Sequence, residues 1–255
     1  MRILVTNDDG IHAPGLSVAE NIARALSDDV WVVAPENEQS GASHSLTLTM
    51  PLRVRAIENK RFAVNGTPTD CVMMAAMELM QDGRPDLVLS GVNAGSNMAD
   101  DVTYSGTIAA AMEGCALDIP AIALSQSYDE HGRERIDWSA AAAHGPALVK
   151  QLVEIGWPKG TLVNVNFPGC PAGEVAGVEA SAQGLRALQN SMFDRRIDQR
   201  GRPYYWLGMR REVEAPEAGS DLHAVFNRKI AVTPLHLNLT ETAVLEKFRR
   251  ALAKS

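Results

Sequence analysis

The sequence predicts an α/β protein, a parallel sheet with helices on both faces, followed by an extended C-terminal arm or hairpin. Three observations carry this reading. Strand-length apolar runs alternate with helix-period segments about five times before residue 170. Three of those runs stop abruptly in long polar loops, as strands do when their carboxyl ends border a ligand crevice. From about Gly177 the character changes to a polar, turn-rich stretch that buries little by itself. The expected organisation is a core over residues 1–180, an arm over 181–229 and a closing strand and helix over 230–255.

Composition limits what this chain does. Its 255 residues are 45% hydrophobic and 22% charged, enough for one large core. A net charge of -7 and a pI near 5.4 argue against a nucleic-acid polymer or an anionic membrane as the partner. Cys71, Cys115 and Cys170 have no paired spacing and lie in or near apolar segments, which fits reduced thiols in a cytoplasm. No charged-then-apolar leader and no run of eighteen apolar residues is present, so a cytoplasmic protein is expected.

The first strand, Ile3-Leu4-Val5, ends at Asn7-Asp8-Asp9-Gly10. That tetrapeptide is good turn chemistry, yet two adjacent carboxylates at a strand end also suit a hard divalent cation with oxygen ligands. Leu16, Ala19, Ile22, Ala23 and Leu26 share a helical face, and Val30 to Ala34 form the second strand. Glu36 to Ser45 then form a second polar loop, with Ser40, Gly41 and Ser43 just past the strand end. Alternation at Leu52, Val54 and Ala56 and at Phe62 and Val64 predicts a pair of strands over 46–65.

Thr67-Pro68-Thr69-Asp70 reads as a capped helix start, with the helix running to about Met80 and its methionines packing the core. Leu87 to Leu89 is a buried strand leading into Ser90–Thr107, the densest polar segment, which opens a helix at Ser105-Gly106-Thr107. Free amides and the positive end of the helix dipole make such a terminus an anion site, although Ser105 or Thr107 serving only as a cap explains the pattern equally. Pro120 to Leu124, a helix over Asp137 to Ile155 and a strand over Thr161 to Asn166 complete the alternation. The arm carries Tyr204-Tyr205-Trp206 and suits packing on another subunit. A strand from Lys229 to Leu239 and a helix from Thr240 close the chain. No G-x-G-x-x-G follows the first strand.

In a parallel sheet the three polar loops converge on one edge. Asp8 and Asp9 offer charged oxygens, Ser40 and Asn93 neutral ones, a set suited to one Mg²⁺ or Mn²⁺ per subunit. With an anion site nearby, the chemistry expected is metal-assisted phosphoryl transfer of the hydrolytic kind.

NDDGIHAPGL, APENEQSGAS, GTPTDCV, SGVNAGSN, DDVTYSGT and TPLH, in this order, resemble the survival protein E (SurE) family of metal-dependent nucleotidases. The resemblance implies a Rossmann-like core, a C-terminal arm exchanged within a homodimer or homotetramer, and hydrolysis of nucleoside 5′- and 3′-monophosphates, with short polyphosphate as a further substrate of some members. It implies Asp8, Asp9, Ser40 and Asn93 as metal ligands, with Asp8 and Asp9 central to catalysis, and Asn97, Ser105, Gly106 and Thr107 as substrate-binding. Ala99 stands where the family usually has glycine. Two mechanistic alternatives stay open: Asp8 as a nucleophile forming an acyl-phosphate, and His12 as the acid that protonates the leaving group. A nucleotide sensor and a nucleotide-dependent transferase are the competing functions.

Overall fold

A computed structural model describes residues 1–129, 132, 136–186, 191–209 and 216–253. In chain order the main elements are β1 (Arg2–Thr6), α1 (Pro14–Arg24), β2 (Asp29–Pro35), β3 (Val54–Glu58), β4 (Arg61–Val64), α2 (Pro68–Met74), β5 (Leu87–Ala94), α3 (Gly106–Ala116) and β6 (Ala121–Gln126). They continue with α4 (Ser139–Ile155), β7 (Thr161–Phe167), β8 (Val178–Ala180), β9 (Ser191–Ile197), β10 (Pro203–Met209), α5 (Asp221–Phe226), β11 (Ile230–His236) and α6 (Thr242–Leu252).

A nine-stranded sheet runs in the order β3-β4-β2-β1-β5-β6-β7-β11-β8. The six strands from β4 to β7 are mutually parallel, while β3 and β11 pair antiparallel with their inner neighbours. The chain winds outward from β1 through β2 to β4, then returns to β5 and winds the other way. Strand order therefore reverses between β1 and β5, and a crevice opens beyond their carboxyl ends.

The strand apolar runs are continuous because both faces are covered. Ile3 and Val5 join Leu16, Ile22 and Leu148 from α1 and α4, whereas Leu4 points the other way to Val72, Ile108 and Cys115 from α2 and α3. Each such fully buried side chain contributes roughly 1.5–3 kcal/mol from burial. At Thr67 the expected helix start is a capping box: its hydroxyl accepts from the Asp70 N–H, and the Asp70 carboxylate accepts from the Thr67 N–H. All three cysteines are free and buried.

Several sequence expectations shift. Residues 46–53 form no strand, and β3 starts at Val54 as a mostly exposed edge strand that pairs only with β4, so its alternation marks no core face. Past Met74 the second helix widens into a π-helical turn over Ala75–Leu79, and of its methionines Met80 is buried while Met77 is 50% exposed. The third apolar strand runs on to Ala94, with an irregular register between Ser90 and Asn93, which places Asn93 inside β5 rather than in the loop after it.

Within the expected arm, β9 and β10 form a separate antiparallel ribbon, Tyr205 opposite Arg195. Residues 187–190 and 210–215 of that segment, and 254 and 255 at the end, lie outside the described residues. Phe193, Tyr205, Trp206 and Leu207 on the ribbon are exposed, and α6 buries none of its residues.

Candidate active site

The turn after β1 divides its work among its residues. Asn7 does the turn chemistry: its amide donates to the Gly10 carbonyl at 3.0 Å and its Oδ1 accepts from the Gly10 N–H at 3.3 Å. The Asp8 carbonyl accepts from Gln39 N–H and the Ile11 N–H donates to the Pro35 carbonyl, each at 2.8 Å, tying this turn to the loop after β2. Both aspartate side chains are thereby left for other partners.

Asp8 turns toward the first turn of α3. Only 4% of it is exposed, and Thr107 Oγ1 donates to its Oδ1 at 2.5 Å. Gly106 is needed for this approach, since a Cβ there would sit 2.7 Å from Asp8 Cβ. Ser105 caps the helix by accepting from the Ile108 N–H. Burial pushes the Asp8 carboxyl up to about 6; the Thr107 hydrogen bond opposes this, and the charges of Asp9 and Glu38 add to it. Asp9 accepts from the Ala94 N–H at 3.1 Å, and burial, helped by Glu38, raises its carboxyl as well. Among the described residues, every charged neighbour that shifts this pair is negative.

Asn97 sits in a buried polar network. Its N–H donates to Asn166 Oδ1 at 2.8 Å, its carbonyl accepts from the amides of Asn164 and Asn166, and its own amide donates to Ser125 Oγ at 3.0 Å and Thr107 Oγ1 at 3.3 Å. Thr107, the hydroxyl that holds Asp8, is thus itself held from β6 and the loop after β5. Asn93 donates to the Gly95 carbonyl at 2.7 Å, and the exposed Ser40 hydroxyl donates to Glu38 at 2.8 Å.

Asp8, Ser40, Asn93, Asn97 and Ser105 line one cavity of about 260 Å³. Asp9 lines an adjoining cavity of about 520 Å³, and the two share Ser40, Ala94 and Tyr128. Gly106 and Thr107 are buried behind Asp8. Three loops separated by as many as 99 residues in sequence, the separation of Asp8 from Thr107, are brought to one edge. His12 is exposed and lines neither cavity.

The donor set fits a hard cation. Two adjacent carboxylates shifted, among the described residues, only by negative groups, with hydroxyl and amide oxygens nearby, match the oxygen coordination of Mg²⁺ or Mn²⁺. Among the described residues no group of three or more His, Cys, Asp or Glu could hold a metal ion, so the neutral oxygens of Ser40 and Asn93 would have to complete the set.

Sequence reading missed Asn164 and Asn166, the buried braces of Asn97. A signal was present: two asparagines at i, i+2 put amides on one face of an otherwise apolar buried strand, which is costly unless they are paired. Tyr128, Trp138 and Glu38, which line the larger cavity, carried no comparable signal.

Comparisons with known proteins follow the same lines. The family described as survival protein SurE matches residues 3–190. A protein of Methylorubrum populi named 5′-nucleotidase SurE is 59% identical over 251 residues, covering 98% of this chain and 99% of its own. One of the same name from Caulobacter vibrioides is 54% identical over 253 residues, 99% and 96% of the two chains. The crystal structure of the SurE protein from Aquifex aeolicus superposes with a TM-score of 0.84 at 38% identity, covering 98% of this chain and 99% of that one.

Proposed function

The chain belongs to the survival protein SurE family, and from that premise we propose that it is a nucleotidase. It releases inorganic phosphate from nucleoside 5′-monophosphates, with 3′-monophosphates and short polyphosphate as further substrates. The observation that carries this reading is Asp8, a buried carboxylate beside the charges of Asp9 and Glu38, set against the amino end of α3 where the strand order reverses.

Asp8, Asp9, Ser40 and Asn93 would hold one Mg²⁺ or Mn²⁺ per subunit. When bound, such a cation supplies Lewis acidity to the phosphoryl group and favours ionisation of a nearby water. The chain supplies the remainder. The first turn of α3, with Ser105 at its cap, directs free amides and a positive dipole end toward phosphoryl oxygens as they gain charge. Thr107 fixes the Asp8 carboxylate through its hydroxyl, and Asn97 fixes Thr107. Held this way, the groups require little reorganisation during the reaction.

The test is phosphate release from a panel of nucleoside 5′- and 3′-monophosphates with Mn²⁺, with Mg²⁺ or with a chelator. Release that needs the cation is expected. Binding of nucleotide without release would instead favour a sensor, and release only in the presence of a second acceptor would favour a transferase.

The same reading places the enzyme in the cytoplasm as a homodimer or homotetramer joined through residues 181–229. The exposed apolar ribbon supports this, and among the described residues no helix is long and apolar enough to cross a membrane. Sedimentation of the purified chain as a monomer would remove the oligomer from the proposal.

A further inference from the structure

The loop from β5 to α3 carries Asn97 at one end and Ser105 at the other, both on the wall of the smaller cavity, and it turns at Ala99. Ala99 has a φ of +52°, in the left-handed region that glycine enters freely and a Cβ disfavours. A residue in that conformation stays there only when its surroundings hold it. The glycine usual at this position in the family meets no such penalty.

What holds Ala99 comes from the other end of the chain. Its N–H donates to Asp221 Oδ2 at 2.9 Å, and its carbonyl accepts from Gln183 Nε2 at 2.9 Å. Asp221 is fully buried, and its other oxygen accepts from the N–H groups of Gly184 and Leu222 at 2.9 and 2.8 Å. Gly184 leaves room for that carboxylate, since a Cβ there would be 2.9 Å from Oδ1. Further along the loop the Arg186 N–H donates to Asp100 at 2.7 Å, and its guanidinium lies 3.3 Å from Asp101, which lines the smaller cavity. The two ends of the expected arm meet at the bridge between Ala182 and Ser220, so they brace the loop as one piece.

Resting on the nucleotidase reading above, we infer that Asp221 is a positioning residue for phosphate release: it holds Ala99 in the left-handed turn and thereby fixes Asn97 and Asp101 at the cavity. Asn97 donates to Thr107, which holds Asp8, so the clamp reaches the reacting groups through other residues and touches none of them. Burial makes the clamp exacting. An asparagine at 221 would turn its amide N–H₂ toward a backbone N–H, leaving buried donors facing each other. Released from Asp221, Ala99 relaxes toward negative φ and carries the loop with it.

The experiment measures phosphate release from adenosine 5′-monophosphate with Mn²⁺ by the full chain, at a temperature well below the Tm of each variant. Asp221→Asn should lower kcat about 10- to 100-fold, as a displacement approaching 1 Å does, with KM within about threefold of wild type. Adding Ala99→Gly to that variant should restore most of kcat, because glycine keeps the turn without a clamp. Gln183→Ala, which loses one of the two holds on Ala99, should show the same split with a smaller loss.

Should Asp221→Asn not fold, Gly184→Ala displaces the same carboxylate and is expected to give the same split and the same rescue by Ala99→Gly. A variant with a lower Tm but wild-type kcat, or a double variant as slow as the single one, would overturn the positioning role and leave the nucleotidase reading standing. A wild type that releases no phosphate overturns the nucleotidase reading, and the positioning role with it.

Discussion

At the amino end of the central strands Asp29 lies between Arg2 at 2.9 Å and Lys60 at 2.8 Å, whereas at the carboxyl end the charged groups among the described residues that shift Asp8 and Asp9 are all negative. The two sites titrate in opposite directions. Hydrogen bonds from Lys60 and Arg2 hold the Asp29 carboxyl down at about 2, while burial pushes Asp8 up to about 6. One end of the sheet uses charge to stabilise the fold. At the other end the fold keeps a charge where it is costly, which is how binding and catalytic sites differ from structural ones.

Asp8→Asn should show the largest effect. It keeps an acceptor for Thr107 but removes the charge, so the loss of several kcal/mol of metal-assisted stabilisation should lower kcat/KM by about 10³-fold or more. The same variant should raise the Tm of the metal-free protein, because a buried, uncompensated carboxylate is gone. Calorimetry in chelator checks the second point, and an unchanged or lower Tm would break the contrast between the two ends.

Gly106→Ala is next. The added Cβ would meet Asp8 Cβ at 2.7 Å, forcing the carboxylate or the helix to shift. A displacement approaching 1 Å costs about 10²-fold in rate. Phosphate-release assays should show that loss with the melting temperature changed far less, whereas wild-type rates would mean that the Asp8–α3 contact has no part in the chemistry.

Asp29→Asn should have the smallest effect. The Asp29 side chain is 33% exposed, so screening by solvent limits its ion pairs to about 1 kcal/mol. The sign follows from the lowered carboxyl: the extra stability is present above pH 4 and is lost as pH falls from about 4 to about 2. Urea melts across that window should converge for wild type and variant at the acid end, with activity at neutral pH unaffected. A variant that lost activity would blur the distinction between the two ends.

The fold was legible because its signals are local. The capping box at Thr67 and Asp70 and the apolar runs at Ile3–Val5 and Thr161–Asn166 each announce an element by residue type and spacing. Where a signal depended on a distant neighbour it misled. Leu52, Val54 and Ala56 alternate like a half-buried strand, yet β3 is an edge strand with one partner and begins only at Val54. Met77 reads as core but lies on the outer side of a helix that widens into a π-turn.

The sequence by itself determined the turn after β1, the caps of α2 and α3 and the parallel core, since these depend on side chains within a few residues of the backbone groups they satisfy. Tertiary structure alone decided that Thr107 would reach Asp8 across 99 residues, that Asn164 and Asn166 would brace Asn97, and that Tyr128 and Trp138 would wall a cavity beside Asp9. Those contacts depend on where strand order reverses, which is set by the packing of the whole sheet.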